Sequence, residues 1–528
     1  MASMQTAPGF AGEPVAVDSL GNWARAVPDR VALDIVGEGT LTYAELDERS
    51  SRLATALRER GLRAGDHVAF LLRTGRTLVE VAWAFQRSGL IYTGISSRLA
   101  TDAVEFIVRD CGARAVVAEH DLLGPLAGEV TERFPDLASR ICVGGPTPAG
   151  WEAYDNVLDS GTTVADPDWC EGTDMLYSSG TTGRPKGVYR PFDGRPSGTP
   201  DSATTLAVQW YGLDNESVFL DTGPLYHAAP LRYTLAQHRL GNPAIVLPSF
   251  DAERFLDTVE RYRITHTLVV PTMMVRFLRL DPEIRARYDL GSLRSVWHGA
   301  APCPRDVKQA MIDWLGPILI ENYGGTEGNG VTVVDSPTWL ARPGTVGRPV
   351  RGTVHILDEH GHELPTGAVG TVYFAGGLPF AYHNDPDKTA SAFTAEGWST
   401  MGDMGWVDDE GYLYLSDRRT HLIISGGVNI YPRESEDVLS LHPAVEDVVV
   451  VGVPDAEFGE QVKAVVQLRD GYAADSETAT QLIEFCRSRL NHVSCPRTVD
   501  FVESLPREPT GKIASRLVKA GYWPEGTL

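Results

Sequence analysis

The chain has 528 residues, 43% of them hydrophobic and 22% charged. That is an ordinary globular composition, and the chain is too long for a single core. Its net charge of −23 argues against a broad nucleic-acid surface, although local lysines and backbone dipoles can still hold an anion. Six scattered cysteines (Cys111, Cys142, Cys170, Cys303, Cys486, Cys495) form no C-x-x-C pair, so they give no metal framework and suit a reducing compartment. No apolar run approaches the ~20 residues of a membrane span. The first nine residues lack the basic and apolar regions of a secretory leader, so a cytoplasmic protein is expected.

In chain order, Thr42-Tyr43-Ala44-Glu45 reads as a capping box opening a helix through Leu46, Leu53 and Leu57, which Gly61 ends. Val68 to Leu72 is a buried strand. Thr77 with Glu80 is expected to open a second helix through Val81, Trp83 and Phe85, stopped at Gly89. Ala115–Ala118, Ala244–Leu247 and Thr267–Val270 read as strands, the last closed by Pro271, with a helix over Ala252–Arg263. This alternation implies parallel sheets covered by helices. Residues 190–203 are expected to form an irregular, mobile loop. From about residue 343 the turns Asp358–Gly361 and Asp408–Gly411 separate short runs such as Val354–Leu357 and Tyr412–Leu415, a hairpin texture. A domain boundary is placed at Asp417/Arg418. It separates residues 1–417 from 418–528, about 110 residues, enough for a small domain. That domain is expected to carry strands at Val448–Val451 and Val462–Leu468 and a helix over Thr478–Leu490.

Three motifs carry chemistry. The first, Ser178-Ser179-Gly180-Thr181-Thr182-Gly183-Arg184-Pro185-Lys186-Gly187, is a run of hydroxyls and glycines closed by a lysine. Glycines let backbone N–H groups turn inward and hydroxyls add donors, so such a loop can wrap a polyphosphate. It does not fit a Walker A register. The second is Glu321-Asn322-Tyr323-Gly324-Gly325-Thr326-Glu327, where an acid beside a hydroxyl can hold magnesium and a phosphate together. The third is Pro506-Arg507-Glu508-Pro509-Thr510-Gly511-Lys512-Ile513, a lysine on a stiffened loop that can meet a developing anion. Taken singly, Glu327 and Lys512 also read as solvated surface charges.

Together, and in this order from Leu41-Thr42-Tyr43 to Lys512, the motifs resemble the acyl-adenylate-forming superfamily of acyl-CoA synthetases, amino-acid adenylation domains and beetle luciferases. The resemblance implies an α/β fold. Its large N-terminal domain has helix-covered parallel sheets and a β-barrel-like subdomain, and its small α+β C-terminal domain is mobile. It implies that Ser178, Thr181, Thr182 and Lys186 belong to the loop on the ATP phosphates. Gly299, Ala300 and Ala301, before Pro302, match the segment beside adenine, with Asn322 and Tyr323 on the base. Thr326 matches a phosphate contact and Glu327 the Mg2+ ligand. Asp403 and Arg418 match ribose contacts, and Lys512 the lysine of the adenylation step. Gly426 and Gly427 match the pantetheine tunnel of CoA. His227, in Pro224-Leu225-Tyr226-His227, matches an aromatic gate near the carboxylate, against the alternative of a packed core histidine. A hinge is expected near Thr420, where the family usually has Asp or Lys. Met401 replaces a usual threonine before Gly402-Asp403.

The implied reaction is attack of a carboxylate on the α-phosphorus of ATP, release of pyrophosphate, and thiol capture of the acyl group with loss of AMP. It needs charge neutralisation and alignment more than covalent work by the protein. Amino acids are disfavoured, because no aspartate follows the aromatic at Tyr226-His227. Ala228, Ala229, Gly324 and Gly325 are expected to leave room for a bulky or long acid, with Trp297 a candidate wall, and Val269-Val270-Pro271-Thr272-Met273-Met274 resembles bacterial medium- and long-chain or steroid-type acyl-CoA synthetases. Gly325 is read equally well as a turn residue. The expected partners are the acid and CoA, without nucleic acid and with a homodimer left open. The alternatives are an acyl-AMP ligase loading a carrier protein, an aryl-acid:CoA ligase, a luciferase-like oxygenase and a non-catalytic nucleotide-binding module.

Overall fold

The computed structural model describes residues 5–8, 14–124, 126, 134, 136–164, 168–178, 185–418, 422–425, 428–455, 458–507 and 513–523. Short β-branched runs closed by Gly or Pro become parallel strands. One six-stranded sheet runs Thr173–Asp174, Ile91–Gly94, His67–Leu71, Ala115–Glu119, Ser139–Val143 and Glu152–Ala153, with every pair parallel. A 13-stranded sheet has a parallel centre, in the order Leu319–Gly324, Ser295–His298, His266–Val269, Phe219–Asp221, Ala244–Val246 and Val31–Ile35. Beyond Leu319–Gly324 the same sheet turns antiparallel through Val331–Asp335, Thr345–Arg351, Leu413–Arg418, Ser399–Val407, Gly370–Ala375 and Thr353–Leu357. This arm is the hairpin-textured region of the sequence, and the turn at Asp408–Gly411 joins two of its strands.

The helix Tyr43–Glu59 starts with the expected box: Thr42 Oγ1 accepts from Glu45 N, and Glu45 Oε2 accepts from Thr42 N at 2.8 Å. Its Leu46, Leu53 and Leu57 are fully buried, each worth about 1.5–3 kcal/mol. The second helix, Arg76–Arg87, corrects the expectation for Thr77 and Glu80. Gly75 is its N-cap, with no side-chain bond, so Thr77 already lies inside the first turn. Glu80 is buried, bonded by Tyr154 Oη at 2.8 Å and paired with Arg49 at 2.7 Å. The loop expected to be mobile at 190–203 is tied down. Glu171 N donates to Arg195 O, Gly198 N donates to Glu171 Oε1, and Cys170 bridges Pro196. The helix Ser202–Trp210 starts within it.

After Arg418 the described strands form a separate sheet: Val428–Ile430, Ile423–Ser425, Gly459–Leu468 and Val445–Asp455, with Thr498–Val502 parallel to Gly459–Leu468. It has its own core, centred on Ile423, Val448, Val462 and Leu482. Arg279 reaches across to it, bonding Val445 O at 2.9 Å and pairing with Glu446 at 3.2 Å. No helix among the described residues is long and apolar enough to cross a membrane.

Candidate active site

Three parallel strands deliver the motifs to one edge. Phe219–Asp221 runs towards His227, Ser295–His298 into Gly299–Pro302, and Leu319–Gly324 into Gly325–Glu327. Ligands of open parallel sheets collect outside such carboxyl ends. The last two turns touch: a Cβ on Gly299 would lie 2.7 Å from Asn322 O and 2.9 Å from Asn322 Oδ1. Only glycine lets these strand ends close up. Ala300 follows with φ +65°, a left-handed conformation that costs a non-glycine residue roughly 1–3 kcal/mol and marks a constrained turn.

The hydroxyl-rich motif lies between the strands Leu176–Ser178 and Lys186–Tyr189, whose register sets Ser178 opposite Lys186. Thr181 and Thr182 lie outside the described residues. Lys186–Tyr189 also pairs with Ala381–Tyr382, and Tyr382 joins two of the motifs. Its hydroxyl donates to Glu327 Oε1 at 3.0 Å, while its ring centroid lies 5.6 Å from Lys186 Nζ. The lysine and the acid of two motifs therefore meet at the same tyrosine. Burial first, and Lys388 second, hold the Lys186 ammonium below its usual range, against the opposing pull of Asp385 and Glu327.

Tyr323 Oη donates to Asp403 Oδ2 at 2.7 Å, joining the expected base and ribose residues. The strand register sets Asp403 opposite Arg418. Thr326 and Glu327 follow on the same turn. Gly325 has its own reason to be glycine. A Cβ there would lie 2.2 Å from Met401 Sδ and 2.6 Å from Glu327 Oε2. The space it leaves is filled by the thioether that replaces the usual threonine, so it is not free room for a ligand.

His227 is the N-cap of the helix Ala228–Arg239, its ring edge-on to Tyr226 at 4.6 Å. Behind it, Asp221 anchors the turn, accepting from Gly223 N at 2.9 Å and Thr234 Oγ1 at 3.0 Å. Burial pushes its carboxyl up to about 7. Ala228 and Ala229 are half-buried in the first helical turn. Trp297 is not a pocket wall: it is 0% exposed and ringed by Tyr211, Phe219 and Tyr233 at 4.4, 5.2 and 5.1 Å. Gly426, Gly427, Thr420 and Lys512 lie outside the described residues, although Ser425 and Val428 pair on either side of the glycines.

Tyr382 was not singled out from the sequence. It stands 55 residues from Glu327 and in no motif, so only the strand pairing reveals it. Among the described residues no group of three His, Cys, Asp or Glu could hold a metal alone. Magnesium is commonly held by one or two carboxylates plus substrate phosphates, and the single Glu327 beside a polyphosphate candidate fits that habit.

Residues 20–380 match the AMP-binding enzyme family, and residues 434–512 match the AMP-binding enzyme C-terminal domain. The chain belongs to the AMP-binding enzyme family. It is similar to the fatty acid–[acyl-carrier-protein] ligase ScoC of Streptomyces coeruleorubidus, with 32% identity over 495 residues, 92% of each chain. It is similar to a feruloyl-CoA synthase of Amycolatopsis sp, with 33% identity over 515 residues, 95% of this chain and 99% of that one. ATP-bound MatB from Rhodopseudomonas palustris has the same fold, with a TM-score of 0.78 at 27% identity over 96% of this chain and 99% of that one. The superfamily resemblance and the α/β fold read from the sequence therefore hold, and the protein is an AMP-forming acid ligase.

Proposed function

We propose that the protein is an acid:CoA ligase that joins a medium- or long-chain or bulky acid to ATP as an acyl-AMP and then passes the acyl group to CoA. The observation that carries this reading is Tyr382, which holds Glu327 through its hydroxyl and has Lys186 over its ring. Lys186 and the hydroxyls of Thr181, Thr182 and Thr326 take the phosphates. Tyr323, Asn322 and the close-packed Gly299 turn take the base, and Asp403 with Arg418 the ribose. Glu327 would hold magnesium, which would supply positive charge to offset that of the phosphates. His227 borders the carboxylate that attacks the α-phosphorus.

The domain from Arg418 onward supplies Lys512 for adenylation and the Gly426-Gly427 loop for the thiol, turning about Thr420 between the steps. The half-buried Ala228 and Ala229 and the names of the fatty-acid and feruloyl relatives favour an acid larger than acetate. The test is AMP release with ATP, magnesium, CoA and a panel of acids of differing length and ring content. CoA-dependent AMP with the larger acids is expected, and none with any acid overturns the reading. The likeness to ScoC supports a second acceptor, the pantetheine arm of a carrier protein. Adenylation with thioester on the carrier alone, and none on free CoA, would select it.

A further inference from the structure

Arg279 joins the two domains. It ends the helix Pro271–Arg279 of the first domain. Its Nη2 donates to Val445 O at 2.9 Å and its Nη1 pairs with Glu446 Oε2 at 3.2 Å, both at the start of the strand Val445–Asp455. Leu441, directly after the helix Pro432–Ser440, packs against the core cluster of the first domain that contains Phe277 and Met311. The same helix stands near the base segment. Glu321, beside Asn322, is buried and accepts from Lys308 Nζ at 2.6 Å. Burial alone would raise its carboxyl, but Lys308 first, then His298 and Arg433 of that helix, hold it below the usual range.

The contact is built to be given up. Glu446 and Val445 O are shared, because Arg469 pairs with the carboxylate at 3.5 Å and donates its own Nε–H to the carbonyl at 3.2 Å. When Arg279 leaves, both acceptors keep a partner within their own domain, so parting strands no buried polar group there. Burial first, and Arg469 second, hold the Arg279 guanidinium below its usual range, against the pull of Glu446 and Asp447. Two cations competing for one acid weaken each other's hold. A polar contact of this kind is the pattern of domains that move against each other.

The placement says which step the contact serves. The helix Pro271–Arg279 lies in the crossover between the parallel strands His266–Val269 and Ser295–His298. A crossover carries the chain from the carboxyl edge of the sheet, where the motifs gather, back towards the amino ends. This helix has 9 residues, so Arg279 lies about 12 Å along it from that edge. Asp447, beside Glu446, is bonded by Arg507, which opens the Lys512 motif. The start of that motif is thus fastened at the remote end of the contact, whereas the helix that follows Gly426-Gly427 stands near the base segment. We propose that Arg279 is a positioning residue for the second step: through Val445 and Glu446 it holds the C-terminal domain in the orientation that brings the thiol of CoA to the acyl-AMP, and its release frees the domain for adenylation. This rests on the acid:CoA ligase reading.

The experiment measures the two steps separately in wild type and Arg279→Met. One assay is acid-dependent ATP–pyrophosphate exchange. The other is thioester formation from CoA and supplied acyl-AMP of the most active acid in the panel above. In Arg279→Met the kcat for thioester formation is expected to fall about tenfold, with exchange unchanged or faster, because the docked population shrinks and the other orientation gains it. Arg279→Lys should restore part of the loss. An equal fall in both steps, as a merely structural role would give, overturns the proposal. So does a fall in exchange alone, or no change in either step. Should Arg279→Met fail to fold, Glu446→Ala decides, at a position 37% exposed. It must divide the two steps in the same sense, and no division refutes the assignment. Wild-type enzyme that forms no thioester with CoA defeats the acid:CoA reading itself, whereas thioester formation that survives Arg279→Met undiminished defeats only the role of Arg279.

Discussion

Replacing Gly325 by alanine should damage activity more than stability. The added Cβ would lie 2.2 Å from Met401 Sδ and 2.6 Å from Glu327 Oε2. Ordinary contact distances are about 3.5–4.0 Å, so the sulfur must retreat by about 1.5 Å and the carboxylate by about 1 Å. Met401 is unbranched and half-buried, and its retreat should cost about 1–2 kcal/mol. Glu327 is held by Tyr382, and a shift of about 1 Å in a charge-bearing group costs on the order of a hundredfold in rate. Gly325→Ala, Met401→Thr and the double variant would be compared by pyrophosphate exchange and by urea unfolding. Threonine at 401 removes the thioether, so the double variant should recover about 1 kcal/mol of stability relative to additivity. Its activity should recover only in part, because the contact with Glu327 remains. A fully active, fully stable Gly325→Ala protein, or strict additivity of the two changes, would refute the argument.

Lys512→Ala is expected to cut adenylation by at least a hundredfold while thioester formation from supplied acyl-AMP survives; equal loss of both steps would contradict domain alternation. Asp221 makes a pH prediction. Its carboxyl, about 7 when folded against an ordinary 3.8, binds its proton more tightly in the native state. Its stabilising contribution is therefore full below about pH 4 and fades as pH climbs to about 7, by up to about 4 kcal/mol. Asp221→Asn should flatten that slope and stabilise the protein at pH 8, as read by unfolding at a series of pH values. Arg239→Met should cost about 3–5 kcal/mol, because Glu171 would stay buried without its cation; a change below 1 kcal/mol by the same method would count against that.

Much of the scaffold was legible because its signals are local. The Thr42–Glu45 box, the strands ended by Gly or Pro, and the hairpin turn at Asp408 each depend on residues a few positions apart. The misreadings are long-range. Thr77 and Glu80 match the box pattern, but Glu80 is engaged by Tyr154, 74 residues away. Trp297 lies two residues before Gly299 in the sequence, yet the rings of Tyr211 and Tyr233 enclose it. The 190–203 stretch has a loop composition, but Glu171 fixes it. In the candidate site the motif residues were found by order and chemistry. Tyr382 was not, because strand pairing, absent from any short pattern, brings it to Lys186 and Glu327.

The most direct test of the central claim is magnesium-dependent exchange of labelled pyrophosphate into ATP, run with and without acid and repeated in Glu327→Gln and Tyr382→Phe. The account predicts exchange only when an acid is present, a loss of a hundredfold or more in Glu327→Gln, and a smaller loss in Tyr382→Phe. Acid-dependent exchange that survives Glu327→Gln undiminished would show that the crevice between Lys186 and Glu327 is not where the anhydride forms.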